Sequence, residues 1–146
     1  WGDVPPSMQS FIVPWMFVAA TGYLMMFQRI FFAWSEEEIA ALHWPGGAAD
    51  GQGVKRLFVL YAAFLLTSML WIDLTRMYIL SPTTLGAVVV VVVLWIAGLA
   101  SVGFGVLVWP SRHRLKGANI ALAGCLMLSI QCTGWDAIYW VMNFGW

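Results

Sequence analysis

Four long apolar runs divide the chain, each bounded by a turn or a group of charges. They run from about Phe11 to Trp34, Leu57 to Leu80, Leu85 to Trp109 and Gly117 to Asn143. Each exceeds the about 20 mainly apolar residues that a helix needs to cross a bilayer. The first carries Pro14 in its opening turn, where a missing N–H does little harm. The second follows the basic pair Lys55-Arg56 and stops at Ser81-Pro82. The third has no charge; its run Val88 to Val93 resembles a buried strand, but the continuation to Trp109 is far too long for one. The pattern predicts an all-α integral membrane protein, a four-transmembrane-helix bundle forming one domain over residues 1–146.

The link Ser81-Pro82-Thr83-Thr84 is so short that spans two and three must form an antiparallel hairpin. Four spans then put both termini at one end and the first and third links at the other. The first link is the only sizeable piece outside the spans. Ser35 followed by Glu36, Glu37 and Glu38 has the form of a capping box and predicts a short interfacial helix to about Leu42. Pro45, Gly46, Gly47, Gly51 and Gly53 then turn the chain back. The three glutamates read first as a solvated helix start favoured by the dipole, and second as a cation or partner contact.

Charge adds a direction. Seven acids and seven bases cancel, but Lys55, Arg56, Arg112, Arg114 and Lys116 all fall in the first and third links, with Arg29 close by. Only Arg76 lies near the other end. The positive-inside rule therefore puts both termini on the outer, lumenal or intermembrane side. The sequence opens at Trp1 rather than Met, which fits a cleaved leader. These features favour a thylakoid or inner mitochondrial membrane over a bacterial plasma membrane. Arg112, Arg114 and Lys116 are also placed to meet anionic lipid headgroups.

Composition excludes whole classes of function. With 62% hydrophobic and 10% charged residues, the chain is not a soluble enzyme, a nucleic-acid binder or a disordered tail. Of ten tryptophans, Trp15, Trp34, Trp44, Trp71, Trp109, Trp135, Trp140 and Trp146 sit near predicted span ends, where they read as interfacial anchors. The alternative is stacking on pigments, quinones or lipids. Trp95 lies deepest and is the candidate for such a contact. Small residues recur at helical spacing on two spans: Ala97, Ser101 and Gly105, with Gly98 and Gly103 beside them, and Gly117, Ala121, Cys125 and Ser129. Such stripes let helix backbones approach closely in lipid and predict packing seams.

The embedded polar residues are the candidate site. Asp73 lies about 16 residues along the second span and Asp136 about 19 along the fourth, both in the half nearer the termini. Arg76 follows Asp73 at i+3. Cys125, Ser129, Cys132 and Asp136 form one polar stripe at i, i+4, i+7 and i+11, with Gln131 and Asn143 off it. Charges in a span are costly and usually face protein. Three readings compete. In the first, Asp73, Arg76 and Asp136 form a structural polar cluster that locks the bundle or docks a partner. In the second, Asp73 or Asp136, with Trp95, contacts a cofactor: chlorophyll, carotenoid or a bound lipid. In the third they relay protons or a cation, although the other half of the membrane offers only Thr67, Ser68, Ser101 and Ser129.

Catalysis finds little footing. His43 and His113 are the only histidines and lack metal-ligand spacing. Cys125 and Cys132 are roughly 10 Å apart along a helix, too far to bond. No P-loop, nucleophile or dinucleotide motif occurs. The sequence thus reads as a non-catalytic accessory subunit stabilising a larger energy-transducing membrane complex, a photosystem or respiratory assembly. Its partners are other membrane subunits and lipids, not nucleic acid. The alternative is a small oligomeric transporter or channel subunit using Asp73 and Asp136; a thiol enzyme acting through Cys125 or Cys132 comes third.

Overall fold

The computed structural model describes all 146 residues and turns each apolar run into a helix long and apolar enough to cross a membrane. Helix α1 spans Pro6–Gln28 and widens into a π turn at Arg29–Ala33; α2 is Glu36–Ala40 and α3 is Gly53–Leu80. The valine run lies inside α4, Thr84–Val108, which closes in a 3-10 turn at Trp109–Ser111. Helix α5, Ala118–Ser129, continues as a π-helical segment over Ile130–Trp140. The protein is an integral membrane four-helix bundle.

Two boundaries differ from the sequence expectation. Helix α1 begins at Pro6 rather than about Phe11, because Pro5 caps it and Pro6 fills a first-turn position whose N–H needs no partner. Pro14 therefore lies inside α1, not in its opening turn. Helix α3 begins at Gly53 rather than Leu57, so Lys55 and Arg56 belong to its first turn. Gly53 lies beneath the end of α2; a side chain there would strike the carbonyl oxygens of Ile39 and Ala40.

The first link is tied down by its own polar groups. Ser35 N–H donates to Glu38 Oε2 at 2.8 Å and Glu38 N–H to Ser35 Oγ at 3.2 Å, completing the capping box. Leu42 is fully buried. Arg56 donates to Leu42 O at 2.9 Å and grips both carboxylate oxygens of Asp50 at 2.8 and 2.6 Å, the only ion pair in the chain. That guanidinium, helped by the Gln52 N–H, holds the Asp50 carboxyl below its ordinary range.

Helix α1 packs along α5, α5 and its π segment along α4, and α4 along α3. Aromatic rings close the circuit between α1 and α3: Tyr23 lies 6.1 Å from Phe64 and Phe31 5.3 Å from Tyr61. Asp3 N–H donates to Asn143 O at 2.9 Å, which brings both termini to one end of the bundle. At the opposite end Trp34 Nε1 donates to Lys116 O at 3.1 Å, joining the first link to the third.

The tightest crossing is between α1 and α5. A Cβ on Gly22 would lie 2.7 Å from Gly124 O and 2.6 Å from Met127 Cβ, and one on Gly124 would strike Gly22 O. Ala97, Ser101, Ala121 and Cys125 from the two small-residue stripes are buried. Gly105 faces Cys125 Cβ, and Gly117, at φ +77°, lies under the Arg29 guanidinium. Ser129 Oγ donates to Cys125 O at 2.7 Å. Gly105, Cys125 and Ser129 nevertheless border a surface groove of about 510 Å³, so that part of the seam is not fully closed.

Candidate functional site

The predicted cluster of Asp73, Arg76 and Asp136 does not form. No ion pair or hydrogen bond joins any two of them. Helix α3 turns Leu57, Tyr61, Phe64, Thr67 and Thr75 inward, and Asp73 and Arg76 fall off that stripe. They are exposed on the outer face of α3, among Leu66, Met69, Met77 and Leu80, which are 59–75% exposed. The 28 residues of α3 rise about 42 Å against a hydrocarbon layer of about 30 Å. With α3 centred, Asp73, about 10 Å from the helix end, lies inside the layer, and Arg76 lies at its edge.

Asp136 points the other way. Gln131 Nε2 donates to Asp136 Oδ1 at 2.8 Å, although α-helical counting left Gln131 off the Asp136 stripe. Residues five apart on an α-helix diverge by about 140°. The i to i+5 ladder of a π-helix instead brings them within reach, and both lie in Ile130–Trp140. The expected stripe of Cys125, Ser129, Cys132 and Asp136 is therefore broken at Ile130. Gln131 is only 5% exposed, and its Oε1 has no hydrogen-bond partner. Its amide must turn the NH2 toward the carboxylate, which fixes Oε1 as an acceptor facing elsewhere.

Gln131 and Asp136 are the only non-hydrophobic residues lining a cavity of about 490 Å³. Its apolar lining comes from every spanning helix and includes Met16 of α1, Trp71 of α3, Leu94 of α4 and Trp140 of the π segment. Trp71 and Trp140 meet edge to face, 6.1 Å apart at 77°, and form an aromatic corner. The cavity thus gathers a carboxylate, an amide and three tryptophans, the third being Trp1.

The three candidate cofactor contacts do not share a site. Asp73 is on the outer face of α3, Asp136 is in the cavity, and Trp95 is 38% exposed on α4 outside that lining. Among the candidate headgroup contacts, Arg112 stacks 4.2 Å over the Trp109 ring and donates to its carbonyl, while Arg114 and Lys116 are exposed. Both cysteines are free, and His43 Nδ1 lies 3.0 Å from Trp44 O. No three His, Cys, Asp or Glu side chains converge as a metal site. Gln131 is the site residue that sequence reasoning set aside, since nothing in its neighbours' identities announces a π ladder.

No protein-family model, no curated protein and no solved structure matches the chain. Fold and composition define its class, an all-α integral membrane protein.

Proposed function

We propose that the protein is a non-catalytic accessory subunit of a larger membrane complex, docked through the outer face of α3. The observation carrying this reading is the exposure of Asp73 and Arg76 amid the apolar outer face of that helix, without a partner in the chain. Charges at such a depth face protein or water rather than hydrocarbon. A neighbouring transmembrane helix with a base opposite Asp73 and a carboxylate opposite Arg76 satisfies both by complementarity. Within this class the narrower reading is an energy-transducing assembly, a photosystem or respiratory complex. Chlorophyll, carotenoid or lipid would then lie on exposed aromatics such as Trp95. The termini face the outer, lumenal or intermembrane side of a thylakoid or inner mitochondrial membrane, because the bases gather at the opposite end.

The rival reading, an oligomeric transporter or channel using Asp73 and Asp136 together, is disfavoured because these carboxylates lie on different surfaces. The test is the double variant Asp73→Leu, Arg76→Leu, which makes the outer face of α3 uniformly apolar. Expected in mild detergent is an unchanged fold and release of the 16.3 kDa chain from its assembly. An assembly of undiminished mass overturns the docking face.

A further inference from the structure

The cavity around Gln131 and Asp136 goes beyond the docking reading, since it opens among the helices rather than on the outer face of α3. Three features of it point to one ligand chemistry. First, the polar group it offers a ligand is an acceptor, since Asp136 Oδ2 makes no hydrogen bond within the chain. The Gln131 NH2 is committed to Asp136, and Gln131 Oε1, on a side chain 95% buried, has no donor. A buried acceptor without a donor is costly, and so is a carboxylate in an apolar pocket with one hydrogen bond.

Second, no ion pair joins Asp136 to a base of this chain. The sole ion pair is Arg56 with Asp50 in the first link; Arg76 is on the outer face of α3, and Arg29 is over Gly117 at the far end. Third, the walls suit a cation. Trp71 and Trp140 both line the cavity at a near-perpendicular corner, and indole is the strongest cation-binding ring. At about 490 Å³ the space lies within the range of small-molecule sites.

We propose that this cavity binds an organic ammonium, its charge between Asp136 and the indoles of Trp71 and Trp140 and its apolar portion against Met16 and Leu94. The shared chemistry is the ammonium. It reaches the cavity either as a free amine or as the headgroup of an aminophospholipid.

The test is calorimetric titration of the full chain in phosphatidylglycerol nanodiscs with benzyltrimethylammonium and with neopentylbenzene, its neutral isostere. Saturable binding of the cation is expected, with roughly tenfold or greater preference over the isostere. Asp136→Asn should weaken the cation by a similar factor, and Asp73→Asn should leave it unchanged. Trp71→Leu provides a second variant should Asp136→Asn fail to fold, and the wild-type comparison of cation with isostere needs no variant. Competition by added phosphatidylethanolamine identifies a lipid headgroup as the ligand; undiminished binding identifies a free amine. Absence of saturable binding, equal affinity for the isostere or an indifferent Asp136→Asn overturns the proposal and leaves water as the cavity's occupant. Since Asp73 and Arg76 are untouched in the Asp136→Asn variant, this proposal fails separately from the docking face.

Discussion

A methyl group on Gly124 would run into the carbonyl oxygen of Gly22, so this crossing depends on the absence of two side chains. Gly124→Leu is expected to destabilise the bundle by about 1–3 kcal/mol or more, since backbone rather than a mobile side chain must give way. Gly134→Ala, which adds a methyl into open space, should leave thermal unfolding in detergent unchanged. Equal midpoints for wild type and Gly124→Leu would contradict the crossing. In the first link, Arg56 lowers the Asp50 carboxyl in the folded chain. The pair's contribution is therefore complete above the unfolded carboxyl value and lost as pH falls through the lowered folded value. Asp50→Asn should open the link to protease at neutral pH, modestly for so exposed a pair, and its difference from wild type should shrink as pH falls and Asp50 becomes protonated. Limited proteolysis across that range measures it. The capping box of Ser35 and Glu38 was legible in the sequence because both partners lie within one turn and carry a known pattern. The Gly22–Gly124 crossing was not, since its partners come from helices far apart in the chain.

At the scale of elements, hydrophobic length alone was enough to locate four spans, because a bilayer demands apolar residues in number rather than in any finer order. Ends were less legible. Apolar counting missed the start of α1 because Pro5 and Pro6 signal a helix while contributing to no apolar run. The π segment was invisible for a deeper reason. Its sequence, Ile130 to Trp140, carries no proline that marks a changed pitch, yet the pitch decides which residue meets Asp136. A direct check uses Gln131→Cys with Asp136→Cys in a Cys125→Ser, Cys132→Ser background. A short bifunctional thiol reagent should bridge that pair. Failure to bridge, with each single cysteine still reactive, would mean an α-helical pitch in which the two positions diverge.

At the scale of the whole molecule, two surfaces separate what the sequence had grouped. Counting residues along a helix reveals depth, and it puts Asp73 and Asp136 in the half nearer the termini with Arg76 one turn further out. The rotation of α3 and the π pitch of the fourth span decide azimuth, and they turn Asp73 and Arg76 outward and Asp136 inward. The outward pair is the basis of the docking proposal. Met77 lies one turn beyond Asp73 on the same face and is 65% exposed, so it reports on whatever sits there without removing either charge. The decisive measurement is photo-crosslinking in native membranes from a benzoylphenylalanine placed at Met77. Docking through this face predicts an adduct with a different subunit, at a peptide of a transmembrane helix that carries a charged side chain within a turn of the attachment site. An adduct to lipid alone, or to a second copy of this chain, would contradict it.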